Sequence, residues 1–331
     1  MDKIFPDEIF LQIFQYVPRL DLFRSFYNLN SRLNRIISES NVYLGSVSLN
    51  KEEQQYILPY VQPKQIYSFP VFEEEYEYSK LSQCINIREL TFLSGSKEYN
   101  VYRYEHPQLI HVVPSIFPYL KSLTIYVQSC SGVYGDLCRM IFGNQFSVLE
   151  SVYLPYGNNQ CVSGIKTWST NLKDVTIKCC NKSLYYPLLN NLPNILSFHC
   201  VFGVDSHGSL KKEYLPLTHI YLGTNDKLPT LFDYGTMAKL GVTIDLLERS
   251  PNLERTILFI CDYHELGYII DQLNRVLSNC PKLISFDCHI QHFRENSESI
   301  NEIKNRYPLF QNCSAHTWTI SGGYGACRIQ K

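Results

Sequence analysis

The sequence is short of charge. Of its 331 residues only 18% are Asp, Glu, Lys or Arg, against about 25% in an ordinary soluble domain. With 45% hydrophobic residues the chain has ample apolar surface to bury, which excludes wholesale disorder. Neither sign of charge dominates: 30 Lys and Arg meet 31 Asp and Glu. Without a basic excess, neither nucleic acid nor an anionic membrane surface is expected as a partner. Long apolar runs are absent too. No stretch of 18 apolar residues occurs, so a membrane-spanning helix is excluded. The opening residues, Met1-Asp2-Lys3-Ile4-Phe5-Pro6-Asp7-Glu8, carry acids and a proline where a secretory signal needs an apolar core. The expectation is a cytoplasmic or nuclear protein whose 12 cysteines are thiols rather than disulfides.

Motifs for chemistry are also missing. No Cys-x-x-Cys occurs; the nearest approach to a metal cluster is Cys280, Cys288, His289 and His292, and its spacing matches no zinc module. His199, His219 and His289 fall on expected strands, but no Ser or Cys nucleophile motif accompanies them. Asp287 and His289 would share a face two residues apart, too little for an acid–base pair. No glycine-rich phosphate turn follows any strand, and Gly322-Gly323-Tyr324-Gly325 has no helix after it. The run Glu73-Glu74-Glu75-Tyr76-Glu77 reads as a solvated loop. The chain is therefore expected to be non-catalytic, with no cofactor and no metal.

What the first forty residues do contain is helical spacing. In FPDEIFLQIFQYV, Ile9, Phe10, Ile13, Phe14 and Val17 recur at that interval. Pro6 suits the first helical position, since its missing amide would be unpaired there. Asp7 and Glu8 suit the positive end of the helix dipole. Pro18 stops the helix, and Asp21 is an apt N-cap for a second one carrying Leu22, Phe23 and Phe26. Asn28 to Ser31 reads as a break, after which Leu33, Ile36 and Ile37 line a third helix. Three short helices rarely close a core alone. Their apolar side needs a partner, either the rest of the chain or another protein.

The order of these residues, FPDEIFLQIF followed by DLFRSFYNLNSRLNRII, resembles the F-box. The matching positions are Pro6, Glu8, Ile9, Ile13, Phe14, Tyr16, Val17, Asp21, Leu22, Leu29 and Arg32. Phe5 stands where the family usually has Leu, and Leu33 where it commonly has Trp. The likeness spans about residues 4 to 38. It implies a segment that docks on the Skp-type adaptor of a cullin–RING ubiquitin ligase through Phe5, Pro6, Ile9, Ile13, Phe14, Val17, Leu22 and Phe26. It also implies that this segment does no chemistry and tethers a substrate-binding domain to the ligase.

The remainder is periodic, which decides fold class before any local reading. The string apolar-x-x-apolar-x-apolar appears at Ile87-Leu90-Phe92, Leu120-Leu123-Ile125, Leu149-Val152-Leu154 and Leu172-Val175-Ile177. It returns at Ile195-Phe198-Cys200, Leu217-Ile220-Leu222, Leu253-Thr256-Leu258 and Leu283-Phe286-Cys288, with weaker copies at Leu44-Val47-Leu49 and Cys313-His316-Trp318. The steps are 33, 29, 23, 23, 22, 36 and 30 residues; the central ones lie in the 20–29 window of leucine-rich repeats. Pro118, Pro193, Pro216, Pro251 and Pro281 precede five of the strings, as turns feeding strands do. The family's Asn or Cys three residues after the last apolar position is present only at Cys180, Asn225 and Cys261. Helical stretches lie between the strings, around Gly135–Gly143, Lys182–Pro193 and Asp262–Cys280. The fold expected is α/β: an F-box over 1–40, then over 41–331 an irregular leucine-rich-repeat-like solenoid with parallel strands on the concave face and helices outside. A doubly wound sheet is the weaker alternative, for want of a phosphate turn.

Strand alternation places a second set of residues on the face opposite the core. It includes Thr91, Thr124, Tyr153, Thr176, His199, Tyr221, Ile257 and Asp287, then Leu93, Tyr126, Pro155, Lys178, Val201, Gly223, Phe259 and His289. Aromatic rings on rigid strands anchor protein partners well. A protein substrate is expected on Tyr126, Tyr153, His199, Tyr221 and Phe259. The expected function is the substrate-recognition subunit of an SCF-type ligase, partnered by the adaptor, the cullin scaffold and an unknown substrate. The alternative is a repeat scaffold unrelated to ubiquitin, whose first helices only cap the solenoid.

Overall fold

The computed structural model describes residues 5–39, 63–72, 81–93, 107–126, 132–180, 182–202, 209–223 and 238–292, with short pieces at 302, 305–307, 318–320 and 324–330. The string at Leu44, the acidic run at 73–77, and Cys313 and His316 lie outside them. The chain divides into two compact units, Met1–Val127 with Phe146–Leu149, and Gln128–Gln145 with Glu150–Lys331. Residues 1–40 lie in the first of these units.

The first unit begins with three helices: α1 (Asp7–Phe14), α2 (Arg19–Phe26) and α3 (Ser31–Glu39). Pro6 sits one residue earlier than expected, as the N-cap of α1 with φ −59° and ψ 154°. Pro18, not Asp21, caps α2, and Asp21 lies in its first turn. A proline fits both places because its fixed φ suits entry to a helix. Asn30 accepts the Leu33 amide at 2.8 Å and so caps α3. Farther along, β1 (Ser68–Phe72), β2 (Glu89–Leu93) and β3 (Ser122–Ile125) lie side by side in parallel. Phe69 pairs with Leu90, and Leu90 with Leu123. The string Ile66-Phe69-Val71 is therefore a copy of the repeat, with Pro70 inside its strand in register with Thr91.

In the second unit helix α4 (Gly132–Phe142) precedes β4 (Ser151–Leu154) and β5 (Asp174–Cys180). Then follow α5 (Lys182–Asn191), β6 (Ser197–Phe202), β7 (His219–Leu222) and α6 (Leu240–Glu248). Next come β8 (Arg255–Asp262), α7 (Leu266–Leu277) and β9 (Ser285–His292). Strands β4 to β9 pair in parallel and in chain order. The register follows the strings rung by rung: Val152, Val175, Phe198, Ile220, Thr256 and Phe286 form one row, and Leu154, Ile177, Cys200, Leu222, Leu258 and Cys288 the next. Both rows are buried. Helix α5 covers this face, since the Tyr185 and Phe198 rings lie 5.7 Å apart. Parallel strands need crossover connections, and those from β5, β7 and β8 pass through helices.

Direction changes at the end. β10 (Trp318–Ile320) and β11 (Tyr324–Gln330) form an antiparallel pair, and β11 runs antiparallel to β9. The late string at Trp318 therefore does not add a parallel strand. Among the described residues the chain is α/β, with nine strands in parallel pairing, three in the first unit and six in the second. Among the described residues no helix is long and apolar enough to cross a membrane.

Candidate functional site

Two surfaces hold the candidate residues, one in each unit. In the first unit the helical trio has an interior of its own. Phe14, Leu22, Phe23, Leu33, Ile36 and Ile37 are buried, and α3 packs on both α1 and α2. The Phe14 and Phe26 rings lie 5.3 Å apart. A charge clamp ties α1 to α3: Arg32 Nη2 lies 2.6 Å from Asp7 Oδ1, and Arg35 Nη2 lies 3.0 Å from Asp7 Oδ2. Arg32 also donates to the Phe5 carbonyl at 2.6 Å and stands over the Phe10 ring. These bonds hold the Asp7 carboxyl below its ordinary range, the Arg32 hydrogen bond first.

The docking residues expected from sequence divide accordingly. Phe5 is 52% exposed and Ile13 49%, with Ile9 and Pro6 exposed as well. Val17 and Phe26 are half-buried, whereas Phe14 and Leu22 belong to the trio's interior. Leu11, Tyr16 and Leu29 are exposed too, Tyr16 at 86%. The docking set omitted these three, although Tyr16 and Leu29 are F-box match positions.

In the second unit the face opposite the core carries Tyr153, Thr176, His199, Tyr221, Ile257 and Asp287 as one register row, all half-buried. Parallel pairing at about 4.8 Å per strand brings several rings together. His199 and Tyr221 lie 3.9 Å apart, Tyr221 and Phe259 5.8 Å, and Phe259 and His289 5.9 Å. Three of the expected substrate residues thus form one file across β6, β7 and β8, which His289 extends to β9. Phe259 retains only 9% of its surface, so it serves the file as a wall more than as a contact. Tyr153 stands in the register row at β4, beyond the Thr176 rung. Tyr126 belongs to the first unit, 50% exposed, with its amide on the Phe92 carbonyl at 2.9 Å.

One row back on this face are Ser151, Asp174, Ser197, His219, Arg255 and Ser285. Desolvation pushes the Asp174 carboxyl up, and His219 opposes the shift. This polar row escaped the reading from sequence, although the same two-residue alternation predicts it. Cys288 and His289, adjacent on β9, fall on opposite faces: Cys288 is core, and His289 belongs to the ring file. Cys280 is turned to the carbonyls of Ser250 and Val276. Among the described residues no group of His, Cys, Asp and Glu is arranged to hold a metal ion.

No family model matches the chain, and no curated protein matches it in sequence.

Proposed function

We propose that this protein is the substrate-recognition subunit of an SCF-type cullin–RING ubiquitin ligase. On this reading the helical trio is an F-box that docks on the Skp-type adaptor, and the leucine-rich-repeat-like strands bind a protein substrate. One observation carries it. The trio buries six large apolar side chains and still leaves Phe5, Ile9 and Ile13 exposed on α1 and the residues before it. A helix serving only to cap its own chain has no use for bare isoleucines, whereas a docking helix does. The Asp7 clamp supports the same reading, because it fixes α1 without covering its outer side.

The parts would act in sequence. Phe5, Pro6, Ile9 and Ile13 enter the adaptor's apolar groove, and the interior residues Phe14 and Leu22, with half-buried Phe26 against Phe14, keep α1 and α2 at a fixed angle. In the second unit the ring file of His199, Tyr221 and Phe259, with Tyr153 on β4, receives the substrate; in the first unit Tyr126, just after β3, is a substrate-binding residue on its own. The complex then holds that substrate near a charged ubiquitin-conjugating enzyme. No bond is made or broken by this chain.

The experiment is a binding assay between the purified chain and the Skp-type adaptor, repeated with Phe5→Asp and Ile13→Asp together. Carboxylates forced into an apolar contact are expected to lower affinity on the order of 100-fold. Both positions are exposed, so the thermal midpoint should stay where it was. A wild-type chain that does not bind the adaptor overturns the proposal and leaves a scaffold unrelated to ubiquitin.

A further inference from the structure

The strand face of the second unit carries one cation that the chain leaves unmatched. On β8 the residues of that face are Arg255, Ile257 and Phe259, and Arg255 is exposed. Elsewhere in the unit Arg139, Arg249 and Arg275 each hold a carboxylate, on Asp136, Asp245 and Glu248. Among the described residues the Arg255 guanidinium has no hydrogen bond and no ion pair. Its register partners are His219 on β7 and Ser285 on β9, with Ser197 one strand beyond His219. The His219 ring is already committed at Nδ1, which lies 2.9 Å from Thr218 Oγ1, and that hydroxyl donates to the Leu196 carbonyl. Arg255 is therefore the free charge of this polar row.

The carboxylates on the same face do not serve it. Asp174 ends the row on β5, three strands from Arg255. At about 4.8 Å per strand that is about 14 Å, beyond the screening length of about 8 Å at physiological salt. Asp287 on β9 is the register partner of Ile257, one rung farther along, and makes no ion pair with Arg255. A guanidinium left bare on a rigid strand is suited to take a carboxylate through two parallel hydrogen bonds. A phosphate group fits worse. It brings about two negative charges and calls for several cations, whereas the next rung beside Arg255 holds Asp287.

We propose that the substrate is recognised through an extended acidic peptide segment, one Asp or Glu of which pairs with Arg255 while an apolar side chain of the same segment lies on the ring file. The inference rests on the reading of this face as the substrate site. Side chains on one face of a strand recur every two residues. The rung of Tyr221 and Ile257 lies two residues along from Arg255, and that of Phe259 four. An extended segment lying along β8 has the same spacing, so its acid stands two or four residues from its apolar residue. The rings supply the area that gives affinity, and Arg255 supplies the charge that fixes register and selects against basic segments.

The test pans phage displaying random dodecapeptides on the immobilised full chain. The peptides retained should carry Asp or Glu two or four residues from an aromatic or aliphatic residue. Arg255→Gln should weaken a synthetic peptide of that sequence about 10-fold in a titration. Arg255→Glu, panned in parallel, should retain Lys or Arg at the position of the acid. Arg255 is exposed, so neither variant should move the thermal midpoint. Lys211→Gln removes another exposed cation, one held beside α5 by the Asn190 side chain, and should leave affinity unchanged. The proposal is overturned by a panning that retains no peptide family, by retained peptides without an acid, by an equal loss with Lys211→Gln, or by tighter binding when phosphoserine replaces the acid. Adaptor binding keeps the two proposals apart. A chain that binds the adaptor and retains no acidic peptide loses this inference alone, and one that retains acidic peptides without binding the adaptor loses only the ligase.

Discussion

Helices α1 and α7 both show apolar residues at helical spacing, yet they end in opposite circumstances. Helix α7 buries Leu266, Ile269, Ile270, Leu273, Val276 and Leu277. Helix α1, equally apolar, buries Phe14 and leaves Ile9, Leu11 and Ile13 exposed. Periodicity therefore says that a helix has a face and does not say who uses it. In the second unit each strand brings its neighbours into a fixed register, so an apolar helix finds a ready-made surface. In the trio the helices are 8, 8 and 9 residues long, and their shared interior takes up only one side of α1.

Four tests, with five substitutions among them, bear on this contrast, from the largest expected effect to the smallest. Phe198→Ala, in a fully buried rung, should cost about 4 kcal/mol in denaturant unfolding, whereas Ile9→Ala should cost at most about 0.5 kcal/mol. Equal costs would erase the distinction between the two regions. Gly143→Ala follows. Its Cβ would stand 2.4 Å from the Arg139 carbonyl oxygen, backbone that cannot swing aside, and the Gly143 amide ends α4 on that same oxygen. A loss of about 2 kcal/mol is expected in a thermal melt.

Thr256→Val should move stability the other way. Thr256 occupies a core rung between Ile220 and Phe286, and among the described residues its hydroxyl has no hydrogen-bond partner. Removing a buried unpaired hydroxyl at constant shape should stabilise by about 1 kcal/mol; a loss on calorimetry would show that the hydroxyl has a partner. The smallest effect belongs to Asp7→Asn. Because Arg32 and Arg35 hold the Asp7 carboxyl below its ordinary value of 3.8, its contribution is complete above that pH. It disappears as pH falls through the lowered value. The unfolding midpoints of wild type and variant should differ slightly at neutral pH and converge in acid well below 3.8. A difference that persists there would mean the clamp is not ionic.

Much of the strand order was legible. In each parallel pair of the second unit the second and third apolar residues of adjacent strings are register partners, because one row of side chains must be continuous to exclude water. Three things were not. The copy at Ile66-Phe69-Val71 is hidden by Pro70, a residue that argues against a strand interior. Helix α6 is hidden by Gly241 and by Val242, Thr243 and Ile244 in its first half, residues of poor helix propensity, although Leu240, Thr243, Leu246 and Leu247 are buried. The return of β11 on β10 is a matter of chain direction, which an apolar string does not encode. The Gly322-Gly323 pair between them is the hairpin signal that carried that information. At the trio, the apolar spacing gave the helices but not the division of their residues. Phe14 and Leu22 face inward and Ile13 outward because α3 packs on both α1 and α2 and covers one side of α1.

The reversal that closes the second unit has a consequence for self-association. A sheet of parallel strands in regular register offers its last rim as a template on which another copy can continue the same pattern without limit. Here β11 lies against β9 in the opposite sense, and β10 beyond it is only three residues long. The outermost described strand, β10, runs in the same direction as β9 but spans only three residues, so an incoming strand would find little paired backbone to continue from at that rim.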